Sequence, residues 1–201
     1  MEKLLIFIKH HLSFLWKIIE FGNGLLFSLL FKKKLARVLQ GVFKEQADQA
    51  CEYRKLELSD TEALHKLLES QTESDLKYFS PHAFNSDALR KQFANRAFLM
   101  MGAFANERLI GYFFLRFFAN RKCFVGRLID ADSRGKGIGQ IMNIIMYETA
   151  WRLGFRCLST ISNNNKAVIG AHAKNPAMVV LKELPNEYLL VEFVRTKQTE
   201  K

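Results

Sequence analysis

Ser133-Arg134-Gly135-Lys136-Gly137-Ile138-Gly139 follows an apolar run over 123–129 and opens a long apolar-periodic stretch over 138–153. A strand that feeds a glycine-rich loop and then a helix forms a receptor for phosphate. The first helical turn points unpaired N–H groups outward, the helix dipole adds partial positive charge, and glycine lets an anion approach the backbone. Spacing narrows the ligand. The dinucleotide register G-x-G-x-x-G fails, because Gly135, Gly137 and Gly139 alternate, and no Gly-Lys-Ser/Thr completes a P-loop.

The flanks read as an ordered series. Apolar runs over 97–104 and 109–118 are separated by Ala105-Asn106-Glu107-Arg108, the pattern of a hairpin leading into the strand before the loop. Leu153-Gly154-Phe155 ends the following helix on a left-handed glycine cap. A short buried strand is expected over 157–161. Asn163-Asn164-Asn165 then starts a helix over 166–174, for which any of the three can serve as N-cap. A final strand pair over 178–184 and 187–194 turns at Pro185-Asn186. Near the start of this region a strand is expected over 52–58, followed by a capping box, Ser59-Asp60-Thr61-Glu62, that opens a helix through Leu68.

Arg134-x-x-Gly137-x-Gly139, with these flanks from about Glu52 onward, resembles the acetyl-CoA pyrophosphate loop of the GNAT superfamily of N-acetyltransferases. The resemblance implies an α/β fold, a mixed sheet flanked by helices. It implies acetyl-CoA as co-substrate, its pyrophosphate held by the amides of Arg134, Gly135, Lys136, Gly137, Ile138 and Gly139. The thioester would face the backbone N–H groups of Leu128 and Ile129, Ile129 standing where the family usually has valine. The family's Asn-x-x-Ala-x-x-x-Tyr pattern, begun at Asn164, reaches Ala167 and then Ala171 with no tyrosine. The adjacent His172 is the candidate to protonate the coenzyme A sulfur, as an imidazolium near neutral pH. The family's usual Gly-Phe after this helix is replaced by Lys174-Asn175-Pro176-Ala177.

In the family pattern the loop over 78–84, broken by Pro81, lies over the acceptor. Tyr78, Phe79, His82 and Phe84 are therefore candidate acceptor contacts, with core packing as the competing reading. The general base stays open among Asp130, Asp132, His82 and a water chain, since the two aspartates can equally be solvated or paired with Arg134. No metal site is expected.

Composition bounds the rest. A chain of 201 residues, 49% hydrophobic, suits one globular domain with an appendage, divided here at 1–50 and 51–201. Its three cysteines, Cys51, Cys123 and Cys157, are odd in number and sit in or beside expected strands, which reads as buried thiols and a cytoplasmic protein. A net charge of +10 suits phosphorylated small molecules, anionic lipid or nucleic acid, but no aromatic-plus-basic nucleic-acid motif stands out.

The appendage is dense in large apolar residues and expected to be helical, with a break at Gly22-Asn23-Gly24. It reads as too polar to span a bilayer, since its longest charge-free run, 21–31, is about half the ~20 residues required. A cleaved signal peptide is not expected either, because charge interrupts the first apolar stretch. Two readings remain. Residues 1–40 could lie in a membrane interface at the inner face, with Trp16 inserted and Lys32, Lys33, Lys34 and Arg37 on headgroups, or they could pack on the domain or in a homodimer.

The expected reaction is direct acetyl transfer to a primary amine in a ternary complex. An aminosugar in surface polysaccharide assembly is the first choice of acceptor, with amino acids and other small amines open. The different-class alternative is a module that binds acetyl- or acyl-CoA without turnover.

Overall fold

The computed structural model describes residues 13–47, 51–172 and 175–196. The apolar and basic positions 1–12 and Lys174 lie outside the described residues. Seven strands form one mixed sheet in the order β1-β2-β3-β4-β5-β7-β6. They are β1 (Glu52–Lys55), β2 (Phe98–Ala105), β3 (Arg108–Phe117), β4 (Lys122–Ile129), β5 (Arg156–Ser162), β6 (Met178–Leu184) and β7 (Tyr188–Phe193). The β2–β3 hairpin turns on Asn106 and Glu107, both at positive φ, where a two-residue turn follows the twist of the strands.

Alternation along β3 divides the core. Phe113, Leu115 and Phe117 pack with Cys123 and Val125 under α1 (Ser13–Glu45) and α5 (Ile138–Leu153). Tyr112 and Leu128 pack on the other face with Leu64, Leu67 and Leu89, which come from α2 (Thr61–Glu69) and α4 (Ser86–Phe93). The short α3 (Glu73–Leu76) connects that second layer to the loop over 78–84. Lastly α6 (Lys166–His172) starts on Asn165, whose side chain accepts from the Val168 amide at 3.1 Å.

Three local expectations are corrected. Ser59 is not a helix cap. A 3-10 turn over Leu58–Asp60 precedes α2, and Asp60 caps that turn by accepting from the Glu57 amide at 2.8 Å. Asp60 is fixed there by a two-pronged bond from Arg54, both contacts 2.8 Å, which local sequence spacing does not reveal.

The second correction concerns Gly22-Asn23-Gly24, where α1 runs through unbroken. Contacts with the domain hold this stretch helical despite its poor propensity. The Asn23 side chain donates to the Phe117 carbonyl at 2.9 Å and accepts from the Ala119 amide at 2.8 Å, and Glu20 pairs with Arg116. Below them Phe27 stacks on Phe117 at 4.5 Å between ring centroids, and Phe31 meets Phe155 edge-on at 5.0 Å.

Third, α1 is by length and composition apolar enough to cross a membrane, against the expectation drawn from its charge spacing. Its Glu20 and Asn23 are turned onto the domain instead of interrupting an outer face.

Burial separates neighbouring positions on α1 sharply. Phe27→Ala, at a site 6% exposed, is expected to cost about 3–5 kcal/mol through lost transfer energy and a cavity. Leu29→Ala, at a site 76% exposed, should stay within about 0.5 kcal/mol in the same urea titrations.

Candidate functional site

Strands β4 and β5 are parallel neighbours for only a short length, Lys122 to Phe124 against Arg156 to Leu158. Beyond Phe124 they part. At the vertex the Ser159 hydroxyl donates to the Val125 carbonyl at 3.0 Å. The Asp130 amide donates to Ile110 on the β3 side at 2.9 Å, so by alternation the even-numbered amides of β4 point to β3 and those of Arg127 and Ile129 point into the gap. Leu128 is thereby corrected. Its amide belongs to the β3 ladder, opposite Tyr112, and the second backbone donor facing the gap is Arg127.

The open end of the gap leads to the glycine loop. After the 3-10 turn Ala131–Ser133, no backbone carbonyl among the described residues accepts the N–H groups of residues 135–139. Gly135 and Gly137 sit at φ +75° and +81°, in the left-handed region, and nothing would meet a Cβ at Gly137 within 4 Å. Gly139 serves differently. A Cβ there would lie 2.7 Å from Arg127 Nη1 and 2.9 Å from Ile129 Cδ1, so its bareness lets those side chains pass beneath the first turn of α5. A row of free donors at the N-terminus of a sixteen-residue helix is an anion cradle.

Arg134 braces this loop across the molecule. Its guanidinium pairs with Asp75 at 2.9 Å, donates to Gln71 at 3.2 Å and donates to the Ile129 carbonyl at 3.2 Å. Arg134 holds the Asp75 carboxyl below its ordinary range. Asp130 does not pair with Arg134. It is 5% exposed and bonded by Arg108 at 3.1 Å, which makes it an anchor of the β3–β4 end. Lys136 is exposed, and the Asn164 side chain donates to Glu187 at the β6–β7 turn.

Within the gap the unexpected residue is Arg127, on the face that packs under α5. Its Nε donates to Asn143 at 2.8 Å, and no carboxylate among the described residues lies within ion-pair reach. Burial pulls its pKa down from the usual value, yet a guanidinium remains charged. That charge reaches His172, which is 7% exposed, lies 5.3 Å from the Phe193 ring and has Nδ1 3.3 Å from Asn175 Nδ2. Burial first, and Arg127 second, lower the His172 pKa to about 4. The imidazolium expected at neutral pH is therefore corrected to a neutral ring.

On the opposite face the loop over 78–84 brings part of the expected acceptor set together. Phe79 sits edge-on to Tyr112 at 6.0 Å and stacks on Phe84 at 6.4 Å. His82 Nδ1 lies 2.9 Å from the Ala83 carbonyl, so it donates there and Nε2 accepts the Tyr112 hydroxyl at 2.7 Å. Burial lowers the His82 pKa and raises that of Tyr112. Tyr78 instead lays its ring against Lys77, whose Nζ is 5.4 Å from the centroid. No group of His, Cys, Asp and Glu among the described residues could hold a metal ion, and Cys51, Cys123 and Cys157 are buried thiols.

No family model matches the sequence, and no curated protein matches it. Solved structures do. The PaiA N-acetyltransferase of Thermoplasma acidophilum, in complex with coenzyme A, superposes with TM-score 0.62 at 19% identity over 73% of this chain and 100% of that one. The GNAT domain of PAT from S. lividans gives 0.63 at 14% over 71% and 89%, and the ribosomal-protein-S5-alanine acetyltransferase of Vibrio fischeri gives 0.61 at 12% over 75% and 96%. The chain has the GNAT acetyltransferase fold.

The His172 environment has a pH consequence. Its folded pKa of about 4 lies below the ordinary 6.5, so its contribution to stability is complete above about pH 6.5 and is lost as pH falls toward 4. His172→Gln should flatten the fall in melting temperature between pH 7 and pH 5. A variant that keeps the wild-type slope would show that the folded ring titrates near its ordinary value.

Proposed function

We propose that this protein is an acyltransferase that moves an acetyl group from acetyl-CoA to a small primary amine, directly and within a ternary complex. The single observation that carries the reading is the continuity of the two donor sets. The free amides of residues 135–139 lie at the end of the gap into which the Arg127 and Ile129 amides point. A diphosphate on the first set would lead its pantetheine arm between β4 and β5, bringing the thioester to the second.

The neutral amine attacks the thioester carbonyl carbon, the carbonyl oxygen takes up negative charge against backbone N–H, and the C–S bond then breaks with the electron pair leaving on sulfur. The proton released by nitrogen passes to water, since on the aromatic side the Nε2 of His82 already accepts the Tyr112 hydroxyl. Neutral His172 is not the imidazolium acid expected for the sulfur at physiological pH. Arg127 offers another solution, because a fixed positive charge in a poorly solvated gap stabilises the departing thiolate without proton transfer. Phe79 and Phe114 present aromatic surface beside Gly126, with Phe84 stacked on Phe79, which supports an acceptor with a flat carbon face, as an aminosugar has.

Two substitutions separate binding from chemistry. Gly137→Glu forces a side chain into a left-handed position and sets a carboxylate against the phosphate, so coenzyme A should no longer raise the melting temperature. Arg127→Gln should retain coenzyme A binding while turnover with an amine panel falls on the order of a hundredfold. The near-ultraviolet thiolate absorbance of bound coenzyme A should also move to higher pH in that variant. Binding without thiol release from any acceptor in the wild-type protein would leave a non-catalytic coenzyme A module in place of the enzyme.

A further inference from the structure

Helix α1 carries a second surface that the acyl-transfer reading leaves unused. Of its polar side chains in the first half, Glu20 and Asn23 are spent on the domain, so the opposite side is apolar apart from the exposed Lys17 at its flank. Phe14 is 72% exposed, Phe21 71% and Leu29 76%, with Ile18, Leu25 and Leu30 between 40% and 62%. These positions follow one another at helical spacing along the outward side. An apolar stripe of this length on an exposed helix marks an interaction surface, unlike scattered single residues.

Charge identifies the occupant. Immediately after Leu30 the helix turns basic with Lys32, Lys33, Lys34 and Arg37, and no acidic residue occurs between Glu20 and Glu45. A cavity of about 430 Å³ there is walled by Lys34, Arg37 and Arg152. Where the apolar half meets the domain a second cavity of about 340 Å³ is lined by Trp16, Ile19 and Leu26 together with Glu20, Asn23 and Arg116. Apolar and cationic surfaces thus lie side by side along one helix, in the arrangement that meets acyl chains and anionic headgroups together. A second copy of the chain fits poorly, since nothing acidic on this face would answer its lysines and each copy carries a net charge of +10.

We propose that the outward face of α1 docks the protein on an anionic lipid surface, with Phe14, Ile18, Phe21, Leu25 and Leu29 in the interface and Lys32, Lys33 and Arg37 on headgroups. The helix lies along the membrane, held there by its contacts with the sheet. This does not depend on the acyl-transfer reading, because none of these residues belongs to the gap or the glycine loop.

Flotation of the full-length protein with phosphatidylcholine vesicles, with and without phosphatidylglycerol, tests it, and light scattering gives the oligomeric state. The wild type should float with the anionic vesicles and be released by high salt. Phe21→Glu/Leu29→Glu should lower the bound fraction at least tenfold, and Lys32→Glu/Lys33→Glu should do the same at low salt while leaving the apolar face intact. All altered side chains are solvent-facing, and circular dichroism monitors helix content. Wild-type flotation by both variants, or equal binding to neutral and anionic vesicles, overturns the proposal. So does a dimer that dissociates on Phe21→Glu/Leu29→Glu, which would assign the face to self-association.

Discussion

The sheet comes apart after Phe124, and the rest of the site follows from that parting. Two parallel strands that stayed paired would consume the amides of Arg127 and Ile129 in a ladder, and the core would be continuous. Because β5 leaves β4 there and keeps β7 alone as its partner, one row of β4 donors is left facing space that a ligand can enter. The Ser159 hydroxyl on the Val125 carbonyl closes the vertex, and the glycine loop with its α5 N-terminus lies at the open end. Burial of Cys123 and Cys157 side by side at the closed end raises both thiol pKa values, so these neighbours behave as packing residues.

Electrostatics are arranged on both sides of the gap. On the α5 side stands a guanidinium without a carboxylate partner among the described residues, and the neighbouring imidazole stays neutral in response to burial and to that charge. On the other side the rings of Phe84, Phe98 and Tyr112 surround His82, whose ring is oriented by Ala83 and Tyr112. Arg134 joins the two halves through Asp75, coupling the phosphate loop to the segment that carries the aromatic loop. Positive charge thus sits where an anion would enter and where a thiolate would form.

Much of this was legible in the sequence where glycine leaves the chain few choices. The α5 boundaries, Ile138–Leu153, followed from Gly137 and Gly154, which adopt left-handed conformations at the two ends of the helix. Arg127 was overlooked, although it shares the parity of Cys123, Val125 and Ile129 and so had to project onto the buried face of an otherwise apolar strand. The charge state of His172 could not be read locally, since it depends on that arginine from a distant strand. Gly22-Asn23-Gly24 misled for a related reason. Its propensity argues for a break, but long-range bonds to Phe117 and Ala119 hold the helix through it.

The most direct measurement of the central claim is a titration of coenzyme A into isotopically labelled protein, followed through backbone amide resonances. The account predicts saturable shifts at residues 135–139, where the diphosphate would sit, and at Arg127 and Ile129, where the arm would pass, while Leu128 moves less. Shifts confined to other parts of the molecule, or none at saturating ligand, would contradict it.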